Sequence, residues 1–374
     1  MRPTWTERFA TGQLLAGMEL GAGRDTLARA RFRVDADYAP RAAWITALGV
    51  GSSLAARAED ARYARAIANV REQPPLIVLG HWRSGTTHLQ NCIGRLPGWT
   101  HPTTFQVVFP GSFLTTRDIV GPLTASLLPA TRGYDNVRMS WDESAEDEIA
   151  LAKLTGLSPY LGTMFPAQAA RYERYVDFLE ASPDEVDTWK EALRWFTKKL
   201  AYASNNARVV LKSCAHTARI RLLLDLWPDA RFVFIHRHPY RVWASTLHLR
   251  AHTDWENFFQ LPAGNWEAER ARQTLYLGER IFERYLEDRR LVPEGQLAEI
   301  AYEDLVADEI GVLGDVFGGL GLEGFDPAAL RRYLDQVGPY QRNALVLDPD
   351  DRERVARHWA AAFDAFGYST EDDG

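Results

Sequence analysis

The spacing of apolar residues divides the chain into stretches of different period. Over residues 5–72 Ala, Arg and Leu dominate at helical spacing, and Tyr38-Ala39-Pro40 is the one clear break, so the pattern predicts a helical N-terminal extension over residues 1–72. Trp5, Phe9, Met18 and Leu20 form an amphipathic stripe within it. Most such stripes pack on the chain's own core; the functional alternative is a peripheral membrane contact or acceptor gating. After Pro74-Pro75 the pattern changes. Leu76-Ile77-Val78-Leu79 is a short continuous apolar run, as expected of a strand buried on both faces, and Gly80 to Thr87 is a small-residue turn before a helix over Leu89–Leu96.

That strand–turn–helix grammar recurs. Arg208-Val209-Val210-Leu211 leads through Lys212-Ser213 into a helix expected from His216 to Trp227. Arg231-Phe232-Val233-Phe234-Ile235 leads through His236-Arg237-His238-Pro239 into a helix over Tyr240–Leu249, with Pro239 suited to the first helical turn. A fourth strand, Leu297–Ala301, precedes Tyr302-Glu303-Asp304-Leu305. Strands alternating with helices predict an α/β domain over residues 73–374: a three-layer, P-loop-like parallel sheet flanked by helices. Two long irregular regions, 98–145 and 251–266, read as lid or acceptor loops. The second carries Trp255, Phe258, Phe259 and Trp266, enough aromatic surface to line an apolar pocket.

Composition narrows the function. The chain has 374 residues, 46% hydrophobic and 25% charged, which excludes a disordered or collagen-like protein. The 43 basic and 50 acidic residues give a net charge of −7, which argues against nucleic-acid binding but leaves room for one cationic cleft. Cys92 and Cys214 form neither a disulfide framework nor a C-x-x-C pattern and read as reduced thiols. There is no leader-like apolar segment and no run near the roughly 20 residues that span a bilayer. The expected location is therefore cytoplasmic. Oligomeric state is not encoded in any feature of the sequence.

The turns carry the chemistry. Gly80-His81-Trp82-Arg83-Ser84-Gly85-Thr86-Thr87 has the G-x-x-x-x-G frame of a phosphate-binding loop between a buried strand and a helix, where backbone N–H groups cradle an anion. Thr86 stands where a Walker loop requires Lys, and the positive charge lies at Arg83, a poor arrangement for ATP hydrolysis. At the second turn Arg237 ends a strand and Ser245 follows eight residues later, a guanidinium and a hydroxyl suited to clamping a second phosphate.

Together the R-S-G-T-T loop and the strand-end R-x-P with its downstream serine resemble the two phosphate sites of sulfotransferases that use 3′-phosphoadenosine-5′-phosphosulfate (PAPS). Tyr302-Glu303-Asp304-Leu305-Val306 is similar to that family's recurrent Y-E-D-L-V segment, and the likeness spans Leu76 to Leu322. Arg83 resembles the tyrosylprotein and bacterial branches; the cytosolic branch's R-K-G-x-x-G-D-W loop is absent. The resemblance implies donor contacts from Arg83, Ser84, Gly85, Thr86, Thr87, Arg237, Ser245 and Tyr302, with His88 at the place where the family stacks adenine. It implies PAPS as donor, adenosine 3′,5′-bisphosphate as product, no metal, and transfer to an acceptor hydroxyl, with an amine as the lesser option. The aromatic residues of 251–266 and the apolar N-terminal helices point to a lipid-like or otherwise apolar alcohol, with a glycan as the other option, since aromatic rings also stack on sugars.

Sulfonyl transfer needs cations or N–H donors at the departing phosphate and a base for the acceptor proton. Arg83 and the loop amides suit the first task, and Lys212 falls where the tyrosylprotein branch places its catalytic lysine. The base candidates are Glu146 and Glu148, in a triplet similar to an E-D-E element of bacterial members, and His216, whose intrinsic pKa suits base work. The alternatives are a nucleotide or metabolite kinase on the same core and a non-catalytic nucleotide-binding scaffold. His248 and His252 lack further ligands at metal spacing, and no G-x-S-x-G elbow occurs.

Overall fold

The run Leu76–Leu79 forms strand β1, and all four residues have no exposed surface, as a continuous apolar run at the centre of a parallel sheet requires. β2 is Trp99–Thr100, β3 Arg208–Lys212, β4 Arg231–His236 and β5 Leu297–Ala301. The order is β2-β3-β1-β4-β5, with every neighbouring pair parallel. The computed structural model describes residues 14–128, 131, 139–262, 264–338 and 347–371. They form two compact units, one of Met1–Arg71, Pro102–Ala203 and Arg250–Glu269, the other of Glu72–His101, Ser204–Leu249 and Arg270–Gly374.

The second unit contains the sheet. Alternate strand residues build its two faces. Leu76, Val78, Val210, Val233 and Ile235 share one core with Leu89 and Ile93 of the Thr86–Gly94 helix and Leu313 and Phe317 of the Glu309–Gly319 helix. On the other face the Phe234 ring stacks on Tyr285 at 3.7 Å and meets Phe366 at 5.2 Å. Helices thus cover both faces, which is the three-layer arrangement expected. Val78 is in register with Lys212 on one side and Val233 on the other; β1 stops at Leu79 opposite Phe234, and β4 runs on to His236. The chain builds β2 to one side of β1 and then returns to place β4 and β5 on the other. At such a reversal, the carboxyl ends of the strands open onto a ligand crevice.

Several local expectations change. The helix expected from His216 is a 3-10 turn, Cys214–Ala218, followed by a shorter helix, Ile220–Leu226; the Ser213 hydroxyl accepts from Ala215 N–H and starts that turn. The stretch 98–145 is not irregular throughout. It contains Thr104–Val108, opened by a capping box in which Thr103 and Gln106 satisfy each other's N–H, and Phe113–Thr124. Residues 129–130 and 132–138 of that stretch lie outside the described residues. In 251–266 the preceding helix continues to Thr253, and Phe258 and Phe259 are buried against Tyr38 and Phe165. β2, two residues long, has too little sequence to show a period.

The first unit is helical. Leu20–Arg29 and the 30-residue Ala39–Ala68 helix flank the expected break, with Pro40 in the longer helix's first turn. Of the N-terminal stripe, Met18 is buried and Leu20 exposed, while Trp5 and Phe9 lie outside the described residues. Among the described residues no helix is long and apolar enough to cross a membrane. Two buried lysines tie this unit together. Lys153 donates to the carbonyls of Ala16 (2.7 Å), Val107 (3.3 Å) and Val108 (2.9 Å). Lys199, on the Pro183–Ala203 helix, is ion-paired with Glu59 of the long helix and donates to the Pro110 carbonyl at 2.6 Å. The other Glu59 oxygen accepts from Thr115 N–H and Oγ1 at 2.7 and 2.8 Å. Burial still holds Lys199 below the ordinary lysine range despite the carboxylate.

Losing one partner of such a pair strands the other charge in the core. Lys199→Met should therefore cost about 3–5 kcal/mol in a urea titration, and the Glu59→Gln, Lys199→Met double variant should recover most of it. Equal losses in the single and double variants would contradict this origin.

Candidate functional site

The first turn begins at Gly80, where φ is +147° and a Cβ would lie 2.6 Å from the Ile235 carbonyl oxygen, so only glycine fits. Thr217 latches this residue: its hydroxyl accepts from Gly80 N–H at 2.8 Å and donates to the Gly80 carbonyl at 3.2 Å. Ser84 folds back, its hydroxyl donating to the His81 carbonyl at 2.8 Å. Arg83 takes the left-handed region, φ +69°, uncommon for a residue with a side chain, and Gly85 follows at φ +102°. A Cβ on Gly85 would sit 2.4 Å from the Tyr302 ring, so the missing side chain is what lets Tyr302 close against the loop. The Thr86–Gly94 helix then opens with no side-chain cap, so its first N–H groups face the turn uncapped by any side chain. Thr86 is buried and Thr87 half-buried.

The second turn comes against the first. Arg237, just past β4, donates from Nη1 to the Arg83 carbonyl at 3.2 Å, and its guanidinium lies 4.4 Å from the centre of the Tyr302 ring. The Arg83 side chain runs the other way: its Nε donates to Ser245 Oγ at 2.9 Å, two turns into the Pro239–Thr253 helix. Ser245, Arg83, Arg237, Tyr302 and Gly85 thus form one continuous chain of contacts. The structure brings together both phosphate-site candidates, but it turns the Arg83 guanidinium toward the second site.

Lys212 ends β3 beside β1 and is 2% exposed. His216 follows on the 3-10 turn with no exposed surface. His88 points at Glu309, with Nε2 3.4 Å from Oε1; burial pulls its pKa below the ordinary histidine value although the carboxylate pulls it upward. Glu146 and Glu148 belong to the other unit. Glu146 is the N-cap of the Asp147–Thr155 helix, half-buried, and accepts a short bond from the Tyr160 hydroxyl; Glu148 has no exposed surface.

Sequence reasoning missed the supports. Thr217 shares a segment with Lys212, but nothing local marks it as the latch of Gly80. His81, inside the loop motif, stacks on Phe282 at 5.5 Å and packs on Trp359 at 5.0 Å, and burial lowers its pKa to about 4, so it is a neutral core residue. Cys92 and Cys214 are buried and not joined in a disulfide.

A sequence model of the sulfotransferase family matches residues 74–327. The omega-hydroxy-beta-dihydromenaquinone-9 sulfotransferase Stf3 of Mycobacterium bovis is 31% identical over 367 residues, 97% of this chain and 93% of the relative, and Stf3 of Mycobacterium tuberculosis (strain CDC 1551 / Oshkosh) matches equally. Among solved structures, sulfotransferase STF9 from Mycobacterium avium superposes with a TM-score of 0.67 at 19% identity, covering 93% of this chain and 96% of its own. Sulfotransferase STF1 from Mycobacterium tuberculosis H37Rv gives 0.64 at 20% identity, covering 91% and 90%. The two structures share the fold. The motifs, the family match and the full-length relative agree: the chain belongs to the sulfotransferase family, enzymes that transfer a sulfonyl group from PAPS.

Proposed function

We propose that this sulfotransferase moves the sulfonyl group of PAPS to the hydroxyl of an apolar, lipid-like alcohol. The observation that carries the donor half is the joining of the two turns that follow β1 and β4 through Arg83, Arg237 and Ser245. The relative Stf3, by its name, sulfates a hydroxylated menaquinone, and that supports an apolar acceptor here.

The residues suit the donor. Gly80 and Gly85 keep Cβ atoms out of the loop, and hydroxyls and cations gather at one sheet edge. The loop amides from Ser84 onward, with the Thr86 and Thr87 hydroxyls, would hold the 5′-phosphate. Arg237 and Ser245 would hold the ribose 3′-phosphate, and Arg83, bonded to Ser245, would join them there. Tyr302 would act by holding Arg237 and the loop, and His88 remains the residue proposed beside adenine. Bound PAPS supplies the sulfonyl group and a phosphate that can depart. Lys212 would neutralise the charge that grows on the departing oxygen as its bond to sulfur breaks and the bond from the acceptor oxygen forms. A base must accept the hydroxyl proton. The candidates for that base are Glu146, Glu148 and His216.

Three results test this reading. Arg237→Ala should weaken adenosine 3′,5′-bisphosphate about 100-fold in calorimetry, the scale of two charge-assisted bonds, whereas Lys212→Met should leave that affinity near wild type and lower kcat about 10²–10³-fold. One of Glu146→Gln, Glu148→Gln and His216→Asn should lower kcat by roughly 10²–10⁴-fold without changing donor affinity, and that variant identifies the base; no such loss in any of them would remove all three. With ³⁵S-labelled PAPS and equal amounts of a long-chain ω-alcohol and a sugar alcohol, label should appear on the long-chain product, and label on the sugar alone would overturn the acceptor assignment.

A further inference from the structure

The Arg237 turn is gripped on both sides by a distant part of the chain. The residue before it, His236, lies with Nδ1 2.9 Å from the Tyr368 hydroxyl, which lies 3.1 Å from Glu303 Oε2. The hydroxyl donates to the carboxylate, so Nδ1–H of a neutral imidazole donates to the hydroxyl. The His236 ring also lies parallel to Phe366, 4.7 Å away at 9°. The residue after it, His238, is fixed as well. Tyr240 N–H donates to its Nδ1 at 3.3 Å, and its Nε2–H donates to the Ser369 carbonyl at 3.2 Å. The next carbonyl, Thr370, accepts from the Tyr240 hydroxyl (3.1 Å) and from Arg352 Nη2 (2.9 Å). The same part of the chain reaches the first turn, where Trp359, 1% exposed, packs on His81.

Burial holds His236 below its ordinary pKa against the upward pull of Glu303, Glu299 and Asp304, in keeping with a neutral ring. These histidines flank the cation of the second turn, yet His236 is engaged by the Tyr368 hydroxyl and the Phe366 ring, and His238 by backbone groups of Tyr240 and Ser369. Residues 359–370 lie beyond the stretch 74–327 matched by the family, and they bear no donor-contacting role in the reading above.

We infer that residues 359–370 are the positioning element of the donor site. They hold the His236-Arg237-His238 turn so that the Arg237 guanidinium is presented to the ribose 3′-phosphate, and they thereby set the preference for a 3′-phosphorylated nucleotide. The inference rests on the reading of Arg237 as the 3′-phosphate ligand. A free arginine has many rotamers to lose on gripping a phosphate, and a turn fixed on both flanks removes part of that loss before binding.

The test is calorimetry of the full chain with adenosine 3′,5′-bisphosphate and with adenosine 5′-monophosphate. Tyr368→Phe keeps the ring and removes the hydroxyl between His236 and Glu303. It should weaken the bisphosphate about five- to tenfold, the equivalent of one hydrogen bond, while the monophosphate is unchanged. Adding Tyr240→Phe, which removes one of the two donors to the Thr370 carbonyl, should widen the loss for the bisphosphate alone. Equal weakening of both nucleotides, or no change in either, would overturn the positioning role. A wild-type protein without preference for the bisphosphate would instead overturn the assignment of Arg237, a separate and distinguishable failure.

Discussion

The site depends on a guanidinium held at the end of a parallel sheet. Arg237 lies between the face of Tyr302 and the carbonyl of Arg83, and both contacts exist because of the first loop's backbone. The left-handed Arg83 and Gly85 shape that backbone, and the absent side chain of Gly85 admits the Tyr302 ring. β4 runs past the end of β1 to His236, so Arg237 follows at the same end of the sheet as the first turn and can reach its Arg83 carbonyl. A change in any of these elements would displace the cation, since packed interiors leave little slack.

Net charge gives no hint of this site. A chain at −7 gathers Arg83, Lys212 and Arg237 at the ends of adjacent strands, with Lys212 nearly sealed from solvent. Low-dielectric surroundings strengthen what such cations do for an anion, and fixing them beforehand removes reorganisation at the moment of transfer. The supporting histidines fit the same logic. His81, buried and with its pKa lowered to about 4, adds packing without adding charge, and His236 behaves alike.

What was legible in the sequence was what is local. The Leu76–Leu79 run, the glycine frame of the first loop and Pro239 at a helix start each act within a few residues, so four of the five strands, both turns and the three-layer fold could be read directly. The direction of the Arg83 side chain could not, because it is decided by a left-handed backbone and by Ser245, remote in the chain. The grip of Tyr368 on His236 joins residues 132 apart, and no periodicity encodes such a pairing. Helices within 98–145 were missed because Thr104–Val108 is too short to set a period and is marked only by its capping box, while Phe113–Thr124 has no side-chain cap and carries Pro122 inside it.

The most direct measurement is a crystal structure with adenosine 3′,5′-bisphosphate bound. The expected result places the 3′-phosphate within hydrogen-bond distance of Arg237 and Ser245, and the 5′-phosphate on the amides at Ser84–Thr87 with Lys212 beside it. A nucleotide that leaves Arg237 bound only to the Arg83 carbonyl and Tyr302, with its 3′-phosphate elsewhere, would contradict the assignment on which the rest stands.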